Sequence, residues 1–263
     1  MLINFTLAPI EKIVPWGEPG SYSLHWFGLT YGEYWIQAGN AALFEYSDHA
    51  RNAGMNRYCE YQVVRLHEDL LDMLPHILEP VPQSLVPYIH GQSAKAWRNA
   101  YCAWRDRDDD VTDADYLGEI ADAAVLWSER RHLDSAYLSP SANIAIWSDR
   151  DHVHIEWDNR DRQFEGRPAW SAGVGAYQMS RDEFIEEARS FHVRLMDQMA
   201  ARVDQVVAGY LPSEIQIDLL GLAREQEQRA RSLDSALKVG IPRNDWQQTE
   251  RAIREILTAQ GAA

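Results

Sequence analysis

Apolar positions recur every three or four residues from Phe184 through Ala188, Phe191, Leu195, Met199 and Val203 to Val206, flanked by Glu186, Glu187, Arg194 and Arg202. That period predicts an amphipathic helix of about six turns. Its start is marked by Ser180-Arg181-Asp182-Glu183, a capping box in which the Ser180 hydroxyl accepts from the Glu183 amide while the Glu183 carboxylate reaches back. Val174 to Met179 just before it reads as a strand. Strand, cap and helix signals follow one another here without conflict, so this helix is expected to be the central core element.

Upstream, Ile3 to Leu7 predicts a strand and Pro9 to Pro19 a loop that holds Trp16. Tyr22 to Leu29, Glu33 to Ala38 and Ala41 to Tyr46, separated by turns at Tyr31-Gly32 and Gly39-Asn40, predict an aromatic antiparallel meander. Its alternation places Leu24 and Trp26 on one face, with His25 and Phe27 on the other. Tyr58 to Arg65 reads as another strand, and Glu68 to Leu74 as a short helix that Pro75 kinks or ends after two turns. Ala96, Trp97, Ala100, Tyr101 and Trp104 take helical spacing behind a Ser93 cap, and a second helix is expected from Asp113 to Leu138. Beyond Pro140, Asn143 to Trp147 and His152 to Asp158 predict a hairpin that turns at Ser148 to Asp151, and Trp170 falls in the loop that follows. Glu214 to Val239 and Asn244 to Leu257 read as C-terminal helices.

These elements predict an α+β protein in which an antiparallel sheet packs on long amphipathic helices. The expected organisation is one compact unit: strands and a short helix over 1–85, a helical insert over 86–140, hairpin, strand and central helix over 141–210, and helices over 211–263. Tyr61-Gln62 followed by Glu68 to Asp72 is echoed by Tyr177-Gln178 followed by Asp182 to Glu186, each copy behind an aromatic hairpin. The echo raises the alternative of two β-β-β-α halves.

Composition then narrows the function classes. With 40 acids against 25 bases the net charge is -15, which disfavours nucleic acid, whose phosphates are held by Lys and Arg, and favours solubility or a basic protein partner. The opening Met1 to Phe5 lacks the basic flank and apolar run of a secretory signal, and no run of about eighteen apolar residues could span a bilayer. A soluble cytoplasmic protein with no membrane partner is expected. Cys59 and Cys102 have no framework spacing, so reduced thiols are expected in place of a disulfide or zinc site.

Two polar clusters are candidates for chemistry. His152, His154 and Glu156 share one face of their strand, and two imidazoles with a carboxylate at period two offer the donor set of a divalent metal, the alternative being an ordinary polar outer face. Asp106 to Asp110 is a dense acidic run; read as a calcium loop from Asp108, it puts Asp113 in the sixth place, where the sharp turn needs Gly. A solvated loop with Thr112 and Asp113 as caps is the better reading. No nucleophile elbow, Walker loop, dinucleotide fingerprint or His-Glu-x-x-His is present, and no catalytic residue and no cofactor are expected.

The run Trp26-Phe27-Gly28-Leu29-Thr30-Tyr31-Gly32-Glu33-Tyr34-Trp35, with Tyr61 to Leu66 and Glu68 to Leu71, resembles an uncharacterised bacterial family of unknown function over about the first ninety residues. The resemblance brings no catalytic residues. An acidic, Trp-rich α+β chain of this size is also similar to immunity proteins of bacterial toxin systems. The expected function is a non-catalytic protein-binding module, with a metal-assisted hydrolase or a structural interaction domain as the alternatives. Binding of a basic protein, a toxin for instance, is expected through Trp26, Tyr31, Tyr34, Trp35, Asp108, Asp109 and Asp110.

Overall fold

β2 (Tyr31–Ala38) is the middle strand of the first sheet in a computed structural model of the chain, which describes residues 1–106, 114–259 and 261. β1 (Ile3–Leu7) pairs antiparallel along one edge, Phe5 opposite Tyr34. β3 (Ala41–Leu43) and β4 (Cys59–Gln62) share the other edge, with the short, Ser47-capped α1 (Asp48–Asn52) between them. Period-two alternation turns Tyr34, Ile36 and Ala38 into the core.

The expected Tyr22 to Leu29 strand does not form. Only Ser23 makes ladder contacts, bridging Trp16 and Gln216, and Gly28–Thr30 is a 3-10 turn. Nor do Tyr31 and Gly32 turn, because they open β2. A Cβ on Gly32 would lie 2.3 Å from the Thr6 carbonyl oxygen, so this glycine serves the close approach of β1. The true turn is at Gly39, with φ of 60°. The strand expected over Tyr58 to Arg65 stops at Gln62, and the chain enters α2 (Val63–Leu78) at once. Pro75 lies inside that helix without ending it, since Leu70 and Leu74 before it and Ile77 after it are all anchored in the core.

The second sheet has the order β5 (Ile144–Ser148), β6 (His152–Asp158), β9 (Val174–Ser180), all antiparallel. A small β7 (Gln163–Phe164) and β8 (Arg167–Pro168) hairpin interrupts the β6 to β9 connection. β9 runs directly into α5 (Arg181–Val207) through the expected Ser180–Glu183 capping box. The first sheet has four strands and the second three, and in each an edge strand, β4 or β9, feeds a long helix. α2 packs on β2, β4 and the second sheet's β5, whereas α5 packs on β6, β9 and the first sheet's β1. Counted from their caps Gln62 and Ser180, buried Leu66, Leu70, Met73 and Ile77 stand where buried Phe184, Ala188, Phe191 and Leu195 stand. The β-β-β-α repeat is therefore present in the topology, but the Tyr-Gln echo is out of register with it by two residues.

α3 (Gly91–Arg105), α4 (Ala114–Glu129) and α8 (Trp246–Ala259) enclose a second core around Trp97, Trp104, Trp127, Ile253 and Ile256. β5, buried at every position, joins the two cores. Ile144 and Ile146 face the first, Ala145 and Trp147 the second. α4 ends well short of the expected Leu138, because Leu133 donates to the Ile144 carbonyl (2.9 Å) and Ile146 to the Arg131 carbonyl (2.7 Å), extending the β5 edge. Its expected caps, Thr112 and Asp113, lie outside the described residues. The helix expected over Glu214 to Val239 is two, α6 (Leu219–Arg229) and α7 (Ser232–Lys238), and the Ala230 carbonyl at the break contacts His192 Nε2 at 3.1 Å. The described residues contain no helix long and apolar enough to cross a membrane.

Candidate functional site

Alternation along β2 sends Tyr31, Glu33 and Trp35 to the face opposite the core, where all three stay half-buried. Trp35 stacks on Tyr58, with ring centroids 4.0 Å apart and planes within 9°. The β2–β4 register sets Glu33 directly across from Glu60. Like charges at opposite positions of an antiparallel pair repel, and desolvation together with Glu60 raises the Glu33 pKa. Desolvation and the same Glu60 raise the Tyr31 pKa. Arg57 lies 5.0 Å over the Tyr58 ring but binds Glu45 at 2.8 Å. Two carboxylates and three aromatic rings therefore share a face on which neither carboxylate has a cationic partner among the described residues.

Trp26 and Tyr34, expected at that surface, belong to the core instead. Both are fully buried. Trp26 Nε1 donates to Gln226 at 2.8 Å and Arg229 lies 4.4 Å over its ring, while the Tyr34 hydroxyl meets that of Tyr137 at 2.9 Å. A period-two reading from Tyr31 finds Glu33, and Tyr58 and Glu60 become visible only with the β2–β4 register. Asp108, Asp109 and Asp110 lie outside the described residues; Asp106, at the start of the run, pairs with Arg105 at 3.0 Å.

His152, His154 and Glu156 do share the outer face of β6, and Val153, Ile155 and Trp157 are buried opposite them. Each polar group is nonetheless turned to a neighbour in the hairpin. His154 Nε2 lies 2.8 Å from Asp149 and its ring stacks on Trp147 at 4.2 Å. Glu156 accepts from Trp147 Nε1 at 3.0 Å. Among the described residues no three His, Cys, Asp or Glu side chains are placed to hold one metal ion. Cys59 is buried, with its thiol pKa pushed up by desolvation, and Cys102 is exposed.

No curated protein and no solved structure matches the chain. A family model matches residues 2–252, the span that holds both sheets, both long helices and the first half of α8, and the chain belongs to that family, a family of unknown function (DUF5984).

Proposed function

We propose that the protein is a non-catalytic binding module of the cytoplasm that captures a cationic protein, a basic toxin met by its immunity protein being one such pair, on the outer face of the first sheet. The observation that supports this reading most directly is Glu33 opposite Glu60 beside the Trp35–Tyr58 stack. A Lys or Arg side chain seated between the carboxylates relieves their repulsion and lies against aromatic rings, which attract cations. Aromatic rings supply anchoring area, and the net charge of -15 steers a basic partner toward the encounter.

Affinity capture from the native host with wild type and with E33Q/E60Q and W35A variants tests it. A Lys- and Arg-rich partner held by wild type and lost by both variants is expected. Its association should slow as salt rises past about 0.15 M, where the screening length is roughly 8 Å, and charge reversal at Asp108, Asp109 and Asp110 should slow it further. A partner that binds at the same rate at low and high salt and ignores these substitutions overturns the reading.

A further inference from the structure

A cleft of about 730 Å³ opens between α3, the end of α4 with the 131–136 segment after it, and the far end of the β5–β6 hairpin. Its volume falls within the roughly 300–1,000 Å³ typical of small-molecule sites. Although the chain is strongly acidic, the cleft wall carries Lys95, Arg98, Arg105 and Arg162. Two of these are neutralised locally, Lys95 by Asp161 at 2.7 Å and Arg105 by Asp106 at 3.0 Å. The guanidiniums of Arg98 and Arg162 have no hydrogen bond or ion pair with any described residue. Asp158, which attracts Arg98, is already held by Arg160 at 2.7 Å. Glu129 and Asp134 also line the cleft, but Asp134 is bound to Arg65 at 3.0 Å and Glu129 forms no ion pair with Arg98.

His132 adds an independent sign of a missing partner. Its Nδ1 lies 2.9 Å from the Ser128 carbonyl oxygen. A carbonyl only accepts, so Nδ1 carries the proton and Nε2 is left as an acceptor in the neutral ring. That Nε2 is buried and has no hydrogen-bond partner, a costly state for a polar atom. Burial, helped by the charges of Arg98 and His90, outweighs the Ser128 hydrogen bond and holds the ring neutral, with its pKa down to about 4. Arg98 stays exposed on the cleft wall, and partial desolvation there, followed by the charge of Arg162, lowers its pKa. Two like charges on the wall of one cleft are what an arriving anion relieves.

We propose that this cleft binds a small organic oxyanion, a phosphate monoester or a carboxylate, with Arg98 and Arg162 gripping the anionic group and His132 Nε2 accepting from a hydroxyl or N–H of the same molecule. Guanidinium forks suit both anions because their paired donors match two oxygens at once. The site lies in the helical half of the molecule and is independent of the face assigned to a basic partner.

The test is a titration of the full chain with glycerol 3-phosphate, glycerate, inorganic phosphate and neutral glycerol, read by calorimetry and by the thermal unfolding midpoint. Saturable binding of at least one oxyanion and none of glycerol supports the site, and the ratio of the phosphate and carboxylate affinities says which group it prefers. R98Q/R162Q should weaken that binding about tenfold or more, as expected for losing charged hydrogen bonds. Its ligand-free midpoint should be equal to or above that of wild type, because the substitution removes a repulsion. H132F should weaken the hydroxylated ligands while leaving inorganic phosphate less affected. No saturable binding of any of the three oxyanions, binding that survives R98Q/R162Q, or a ligand-free R98Q/R162Q protein with a lowered midpoint overturns the proposal.

Discussion

His67 on α2 and His192 on α5 share a buried contact, Nε2 to Nδ1 at 2.9 Å, with their rings stacked 5.2 Å apart. It joins the two long helices where the repeated halves meet, with Phe191 edge-on to His67 at 5.7 Å. In the neutral pair the Ala230 carbonyl accepts a hydrogen bond from the His192 Nε2–H, so His192 Nδ1 accepts from His67 Nε2. Desolvation first, then His192 and Arg229, depress the His67 pKa to about 3.

This pair predicts loss of stability in mild acid. Between pH 6.5 and 4 the unfolded chain protonates His67 and His132 while the folded chain does not, so each costs about 1.4 kcal/mol per pH unit as pH falls. Asp69 opposes them. Burial raises its pKa to about 7, so over the same window the folded state alone holds its proton and stability rises by about 1.4 kcal/mol per unit of acidification. Burial also lowers the His76 and His90 pKa values, which adds to the loss, so the net expectation is a loss of at least about 1.4 kcal/mol per pH unit, measured by urea unfolding at pH 6.5, 5.5 and 4.5. His67→Phe should remove about that slope, and a variant with the wild-type pH dependence would show that His67 is not held neutral by the fold.

Glu79 and Arg131 form a buried ion pair at 3.1 Å, and it ties down the last helix. Glu79 Oε1 accepts from the Asn244 amide at 2.6 Å, and Arg131 lies 5.4 Å from the Trp246 ring centroid. Removing one member strands the other charge, so Glu79→Ala is expected to cost about 3–5 kcal/mol. Trypsin should then cut at Arg243 well before global unfolding, because α8 loses its anchor. Wild-type cleavage kinetics in the variant would contradict that anchoring.

The parts of the fold legible in the sequence are those where local signals and burial agree. β9, its cap and α5 are one case, and β6, whose observed bounds are the expected His152 and Asp158, is another. Tyr22 to Leu29 has the aromatic content of a strand but not its pairing, because Trp26 is buried by α6 through Gln226 and Arg229, about two hundred residues away. α4 ends before its helical spacing does, because spacing does not reveal that buried Arg131 must leave the helix to meet Glu79. For the candidate site, Tyr31 and Trp35 were legible from alternation, but Glu60 depended on a register that a single strand does not encode.

Phe191 tests the central role of α5. It is fully buried and meets Phe5 of β1 at 5.7 Å, edge to face. Phe191→Ala should cost about 3–5 kcal/mol, the range for emptying a large core site. Ser180→Ala removes only the cap and should cost about 1 kcal/mol. Equal midpoints for the two variants in denaturant unfolding would remove α5 from the centre of the fold.

Glu33→Gln separates a recognition face from an ordinary polar one. An exposed carboxylate with no specific contact can be neutralised with little consequence, but Glu33 stands directly opposite Glu60 in the β2–β4 ladder. Substitution by the isosteric amide should therefore stabilise the free protein at pH 7 by a few tenths to about 1 kcal/mol. Its direction with pH follows from the raised pKa, which desolvation and Glu60 cause. A raised carboxylate holds its proton more tightly when folded, so it penalises the folded state once both states are ionised and the penalty vanishes as pH falls through its folded pKa toward the unfolded one. The gain from Glu33→Gln should accordingly be present at pH 7 and absent at pH 3.5, as read by denaturant unfolding at the two values. The same variant should bind a basic partner more weakly, giving opposite signs for stability and affinity. Destabilisation at pH 7 would mean that Glu33 makes a favourable contact within the chain, and the outer face of the first sheet would lose its claim to be waiting for a cation.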